Sequence, residues 1–302
     1  MPLPGFDDLL RDADVRAEGR PVAVAGAADL SVLMATRAAV DRGWIAPLLA
    51  GSSRDIHAIA DGAGISLDGM ELLDVAEGDI APAAVATVRS GRASMLMKGR
   101  VSSPTLMEAI FDPEHGLRGE RVVCQIVLME IVPHARTFLL ADTGVIVRPK
   151  VGTKADILRE AVALAIALGE PCPRVALMAA SEVIGPAMPE TLHAAELQRR
   201  NESGEFPDCR IQGPLSFDLA YAAYAADQKR VAGPVVGAAD IMIFPDLASA
   251  NLTVKAIMYT ADCRFGGVLG GTTAPVVFMS RADSPETRLR SLALAMASDL
   301  RR

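Results

Sequence analysis

Apolar and polar positions along the chain fall into two repeating textures. Short continuous apolar runs of strand length, PVAVAGA (21–27), IAPLLAG (45–51) and ASMLMKG (93–99), are separated by stretches of helical periodicity. After a first short helix, Asp29 or Ser31 can cap a helix that runs to about Arg42 and stops at Gly43. A second helix, from Ser53 to about Asp61, ends at Gly62 and Gly64. MELLDV, a helix near 79–90 and another from Ser103 to Phe111 continue the alternation. Continuous rather than alternating apolar runs, joined by helices, are what a parallel sheet covered on both faces requires. The first third predicts a doubly wound α/β lobe.

The rhythm changes between 121 and 147, where RVVCQIVLMEI and RTFLLADTGVIV follow one another with a short linker and predict antiparallel or edge strands at a lobe crossing. Alternation then resumes: a helix from Lys154 to Leu168, the strand RVALMAA (174–180), the helix ETLHAAELQRR, CRIQGPL, a helix from Ser216 to Lys229, the strand ADIMIFPD (239–246) and a helix over 249–261. GGVLGGTTAPVVFMSR (266–281) holds the last strands. SPETRLRSLALAMASDL closes the chain as a helix capped by Ser284, with Pro285 at its first position. The expected division is one α/β lobe over 1–140 plus about 275–302 and a second over about 141–274, with an active-site cleft between them.

Composition narrows the function. At 302 residues the chain can bury a full core without disulfide or metal staples. Thirty basic against 37 acidic side chains give a net charge of −7, and only 4% of residues are aromatic. Neither a basic stripe for phosphodiesters or anionic lipid nor a stacking platform for bases is evident, so no nucleic-acid and no membrane partner is expected. The acidic, proline-containing start does not read as a signal peptide, and the richest apolar stretch, AVALAIALG at 161–169, is too short to span a bilayer. Cys124, Cys172, Cys209 and Cys263 form no C-x-x-C pair and read as reduced thiols, consistent with a cytoplasmic location.

Several chemistries lack their motifs. There is no G-x-x-x-x-G-K-[ST] phosphate loop, no G-x-G-x-x-G after a strand, no G-x-S-x-G elbow and no HExxH, and the four histidines share no metal-ligand spacing. No metal and no separate cofactor are expected. Three polar loops at predicted strand ends remain, where open α/β sheets bind ligands. In LMKGRVSSPTLMEAI (96–110), Lys98 and Gly99 turn the chain, and Ser102 or Ser103 opens a helix with Pro104 at its first position. The hydroxyls, the ammonium and the helix N–H groups suit an anion, although a capped helix beside a surface lysine has the same pattern. In FPDLASANLTVKA (244–256), Asp246 follows a strand and Asn251 and Lys255 are spaced i, i+4, presenting an amide and a cation on one helix face or merely a solvated one. In GGTTAPVVFMSRADSPETRLR (270–290), Ser280, Arg281 and Asp283 share one strand-to-helix loop. Ser284 already supplies the cap there, which leaves Ser280 and Arg281 for chemistry: a guanidinium fork for phosphate and a hydroxyl for a developing anion.

These loops, with MKGRVSS, HGLR (115–118), MPETLHAAEL (188–197), QGPLSFDLA (212–220), PVVGAADIMIFPDLASANLTVKA (234–256) and APVVFMSRADSPETRLRSLALA (274–295), resemble the phosphate acetyltransferase and phosphate butyryltransferase family over most of the chain. SRADSPET is closer to the butyryl-type branch. The resemblance implies a two-lobed α/β fold with doubly wound, mainly parallel sheets of the isocitrate/isopropylmalate dehydrogenase type, and a homodimer. It implies the metal-free reaction of an acyl-CoA with phosphate to give acyl phosphate and coenzyme A, which is substrate rather than cofactor. It further implies that Ser280 contacts the thiol or oxyanion and Arg281 the phosphate. Asp283 or Glu286 is a candidate base by proximity. Lys98, Gly99, Ser102, Ser103, Asp246, Asn251 and Lys255 would bind substrate.

The chain departs from the family pattern at four places. Acetyl-type members carry an aspartate shortly after the Ser-Arg pair, where this chain has Thr287. Gln212 replaces the aspartate of Asp-Gly-Pro-Leu, Ile146 stands for an asparagine, and His193 for the aspartate of T-x-D-A-A. The last three changes motivate an alternative expectation, a non-catalytic or altered-acceptor CoA-binding paralogue of the same fold. A dehydrogenase of that fold is disfavoured, since neither a metal-binding carboxylate set nor a nicotinamide motif is apparent.

Overall fold

The computed structural model describes residues 2–298, so the expected end of the closing helix at Asp299 and Leu300 lies outside the described residues. The chain divides into two compact units, one formed by 6–121 with 266–298 and the other by 2–5 with 122–265.

The first unit opens with α1 (Phe6–Val15) and then alternates β1 (Arg20–Ala25), α2 (Leu30–Asp41), β2 (Ile45–Gly51), α3 (Ser53–Ala63), β3 (Glu71–Asp74), α4 (Ile80–Arg89), β4 (Met95–Lys98) and α5 (Ser103–Phe111). β1 pairs in parallel with β2 on one side and β4 on the other, and β3 continues the sheet beyond β2. Val22 to Ala25 of β1 and all of β4 are buried, as continuous apolar runs covered on both faces should be. α4 packs over β1, β2 and β4. Of the two candidate caps, Asp29 opens α2, its Oδ1 accepting the Val32 N–H at 3.2 Å. Gly64 stops α3 in a left-handed conformation, φ +65°, that carries no Cβ penalty at glycine.

The second unit takes over with β5 (Cys124–Ile131) and β6 (Arg136–Ala141), an antiparallel pair. Both strands expected at a crossing therefore belong to this unit. α6 (Val151–Ala167), β7 (Arg174–Met178), α7 (Pro189–Glu202), β8 (Arg210–Leu215), α8 (Phe217–Tyr221), α9 (Ala223–Lys229), β9 (Ile241–Ile243) and α10 (Leu247–Thr260) follow. β6, β9, β7 and β8 pair in that order, all parallel. Phe138, Leu140, Met178, Leu215, Leu219, Met242 and Phe244 centre one core, each buried side chain contributing about 2 kcal/mol.

The helix expected over 216–229 is broken at Ala222, because the carbonyls of Leu219 and Ala220 accept the N–H groups of Gly237 and Ala239 instead of continuing a helical ladder. β10 (Cys263–Gly270) returns the chain to the first unit at Gly266. There β11 (Val276–Val277) pairs antiparallel with β10 and parallel with β4, and α11 (Pro285–Ser298) packs against α1, α2 and β11. No helix among the described residues is long and apolar enough to cross a membrane.

One charged pair ties the starts of β7 and β9. Asp240, 4% exposed, accepts the Arg174 backbone N–H at 2.8 Å and its guanidinium through both carboxylate oxygens, each at 2.8 Å. Replacing Asp240 by alanine strands the guanidinium and a backbone donor. The expected loss is about 2 kcal/mol, below that of a fully buried pair because the Arg174 side chain keeps some solvent. A lower urea midpoint at unchanged slope would show it.

Candidate functional site

Lys98 ends β4, and the chain beyond it turns sharply against the end of β1. The N–H of Gly99 donates to Ala25 O at 2.8 Å and that of Arg100 to Gly26 O at 2.7 Å. A Cβ on Gly99 would fall inside the van der Waals envelope of the Gly26 carbonyl, so Gly99 is there for close backbone approach. The Lys98 side chain, 1% exposed, lies under this turn. Its ammonium donates only weakly, to Gly99 O at 3.5 Å, and stands 6.0 Å from the Phe278 ring centroid. Burial first, then the positive charges of Arg288 and Arg281, push its pKa down to about 8, against the pull of Asp283.

The loop after β11 brings the other charges. Asp283 folds back so that its Oδ2 accepts the Ser280 N–H at 2.6 Å, and its own N–H donates to Ser280 O at 3.3 Å. That closure presents Ser280 and Arg281 outward, both exposed. Ser284 caps α11 as expected, accepting the Thr287 N–H at 3.3 Å. One turn into α11 lies Arg288, 1% exposed. Its guanidinium donates to Ser280 O at 3.2 Å, to Lys98 O at 3.3 Å and to the Ser31 hydroxyl at 3.2 Å. Ser31 in turn donates to Asp29 Oδ1 at 2.6 Å. Burial acts to raise the Asp29 carboxyl, but the Ser31 hydroxyl, the Val32 N–H and Arg288 outweigh it and hold it below the usual range. Lys98, Gly99, Ser280, Arg281 and Asp283 thus assemble in the first unit, joined by Arg288, Ser31 and Asp29. Ser102 caps α5 through the Thr105 N–H at 3.1 Å, and Ser103 is exposed in the first turn.

The second unit holds a separate group. Asp246 caps α10, accepting both the N–H and the hydroxyl of Ser249. The helix therefore starts at Leu247, two residues earlier than its spacing predicts. Asn251 donates to Thr143 O at 3.2 Å, and Lys255 is exposed. Asp142, buried, accepts the N–H groups of Gln125, Gly144, Val145 and Ile146. Burial raises its pKa more than those four bonds lower it. α6 begins at Val151, which puts Lys154 in its first turns and 5% exposed, its Nζ 3.2 Å from His193 Nδ1. Burial lowers Lys154, with Glu190 and Asp246 pulling it back, and burial together with Lys154 lowers His193.

Arg288 and Lys154 escaped the motif reading because neither sits in a loop. Each does carry a signal: a cation in the apolar register of a helix, Arg288 with Leu292 and Ala295, Lys154 with Leu158 and Ala161. Gln212 also gains a role. Its Oε1 accepts the Val235 N–H at 3.1 Å while its Nε2 donates to Ala232 O at 3.0 Å, a pairing an aspartate cannot make. Among the described residues no three His, Cys, Asp or Glu side chains gather where a metal ion could sit.

A mainly parallel α/β sheet thus carries a serine, an arginine and two buried cations about one strand-end loop. The model of the family described as phosphate acetyl/butaryl transferase matches residues 74–296. The phosphate butyryltransferase of Clostridium acetobutylicum is 38% identical over 296 residues, covering 97% of each chain. The phosphate acetyltransferase of Thermotoga maritima is 33% identical, over 93% of this chain and 95% of its own. Among solved structures, a branched-chain phosphotransacylase from Enterococcus faecalis superposes with a TM-score of 0.80 at 27% identity, covering 92% of this chain and 98% of that one. The chain belongs to the phosphate acetyl/butyryltransferase family and is an acyltransferase.

The stitched strand ends make a direct stability prediction. Gly99→Ala forces the two backbones apart and should cost at least about 2 kcal/mol, whereas Gly62→Ala on α3, with nothing near its would-be Cβ, should be neutral or stabilising. Thermal unfolding of the two variants distinguishes the positions.

Proposed function

We propose that this chain transfers a short acyl group, acetyl to butyryl, from coenzyme A to inorganic phosphate and back, and that it acts as a cytoplasmic homodimer. The observation that carries the reading is the exposed Ser280–Arg281 pair on a loop closed by Asp283 beside the buried Lys98.

A phosphate oxygen attacks the thioester carbonyl carbon and forms the new C–O bond. The carbonyl oxygen carries the negative charge of the tetrahedral intermediate. Collapse breaks the C–S bond, and the thiolate leaves to take up a proton as coenzyme A. Arg281 offers a planar fork that holds a phosphate dianion and aims it, so that part of the barrier is met as prepaid orientation. Ser280 donates to the developing oxyanion or the departing sulfur. Lys98, charged below about pH 8, adds a positive field at the same loop. Asp283 or Glu286 is the candidate base by proximity, and Asp283 also shapes the loop, its carboxylate accepting the Ser280 amide. Ser102, Ser103, Asp246, Asn251 and Lys255 are assigned to the remainder of the acyl-CoA.

The alternative of a non-catalytic or altered-acceptor CoA-binding paralogue rests on Ile146, His193 and Gln212. All three lie in the second unit, whereas the Ser280–Arg281 loop belongs to the first. The first test is thiol release from acetyl-, propionyl-, butyryl- and isobutyryl-CoA, each with and without phosphate. Phosphate-dependent release is expected, its rate order naming the acyl group; coenzyme A binding without any release would establish the paralogue instead.

Two further outcomes follow from the residues. Arg281→Ala should lower phosphate-dependent release by about 10³-fold while the far-ultraviolet dichroism stays native, and near-normal turnover would remove Arg281 from the mechanism. Because Lys98 is protonated below its pKa, kcat/KM should fall as pH rises through about 8. Lys98→Arg, charged throughout, should lack that alkaline limb.

A further inference from the structure

The geometry points to Arg288 as a positioning residue that holds the Ser280–Arg281 loop against the strand end carrying Lys98. This deepens the phosphate acyltransferase reading and rests on it.

Three segments far apart in sequence converge on one guanidinium: Ser31 at the start of α2, Lys98 at the end of β4 and Ser280 after β11. The bonds to Lys98 and Ser280 go to backbone carbonyls, so they constrain the path of the chain, whichever side chains the loop carries. A planar group with five N–H donors can hold three acceptors in fixed directions, which a lysine ammonium on a flexible stem does less well. Thr287, Ser291, Leu292 and Ala295 share the buried face of α11 with it. A charge buried there costs desolvation that the guanidinium's hydrogen bonds offset, so the arginine serves the fold as well as the loop. The positioning role follows from what it touches, since the carbonyl it holds at Ser280 belongs to a residue exposed on the loop.

The same guanidinium sets the electrostatics of the loop. The charged groups around it are Lys98 at the end of β4, Asp29 at the start of α2, and Arg281 and Asp283 on the loop. Burial lowers the Arg288 pKa, with Asp29 and Asp283 opposing, and Arg288 is the larger of the two positive influences that depress Lys98. Arg288 thus acts on the reaction twice through other residues: it locates Ser280, and it helps lower the Lys98 pKa.

The test uses the full-length protein with Arg288→Lys and Arg288→Gln. For Arg288→Lys, which keeps a charge and loses the fork, kcat for phosphate-dependent thiol release should fall about 10- to 100-fold, with KM for acyl-CoA changed less than about threefold and the alkaline midpoint nearly in place. For Arg288→Gln, kcat should fall further and the alkaline midpoint should move to higher pH, because a positive neighbour of Lys98 has gone. A residue that only stabilised the fold would lower the unfolding temperature and leave the pH profile of the folded enzyme where it was. Should the glutamine variant fail to fold, the lysine variant's kcat against KM split decides.

A readout independent of turnover keeps this inference separable from the proposed activity. The chain has only five lysines, so a sample carrying 13Cε-lysine gives few resonances, and Lys98→Arg identifies that of Lys98. Its titration should lie near pH 8 in the unaltered protein and higher in Arg288→Gln. If the unaltered protein releases no thiol with phosphate, the acyltransferase reading fails, and the titration still reports whether Arg288 governs Lys98. Folded Arg288 variants with kcat/KM within about threefold of the unaltered enzyme at every pH, together with an unmoved Lys98 titration, would overturn the inference.

Discussion

The first unit's candidate site depends on one buried guanidinium. Arg288 lies on the buried face of α11, and its donors reach the end of β4, the start of α2 and the loop after β11. Each of those ends carries polar groups that need partners, and a backbone carbonyl buried without one costs about 1–3 kcal/mol. The arginine donates to two backbone carbonyls at once, Lys98 O and Ser280 O, the second of which also accepts the Asp283 N–H. In doing so it brings together residues separated in the chain by as much as the distance from Ser31 to Ser280.

From that constraint the electrostatics follow. Three cations, Lys98, Arg281 and Arg288, share the loop region with two carboxylates, Asp29 and Asp283, both engaged with hydrogen-bond donors. A surplus of positive charge, partly withdrawn from water, is unfavourable when left alone and favourable toward a multiply charged anion. Phosphate meets that description. An acyl phosphate does as well, which suits a reaction run in both directions. Burial first, and then the positive charge of Arg288 and Arg281, depress the pKa of Lys98.

The second unit shows a comparable arrangement with different parts. Asp142 gathers four backbone N–H groups and so shapes the chain between β6 and α6, while Lys154 meets His193 at the first turns of α6 and α7. Here too the polar side chains sit at the carboxyl ends of parallel strands. Gln212 illustrates how a departure from the family pattern becomes legible: its amide joins two backbone groups of the 232–235 segment, so the change carries a structural task of its own.

Much of this was written locally. Continuous apolar runs marked β1, β2, β4, β7 and β9, Asp29 or Ser31 and then Ser284 marked helix starts, and the Ser280–Arg281–Asp283 loop stood out because its cap was already supplied. Those features depend on neighbours within a few residues, where propensity, capping and periodicity act. The break at Ala222, the placing of 124–141 wholly in the second unit and the task of Gly99 were decided elsewhere, by partners beyond the local sequence. So were the roles of Arg288 and Lys154, whose charges sit in apolar registers that sequence alone reads as helix face. By itself the sequence determined the α/β texture and the loop that carries Ser280 and Arg281. Only the tertiary structure decided which buried cations stand beneath that loop, because desolvation and hydrogen bonding between distant segments exist only once the chain has folded.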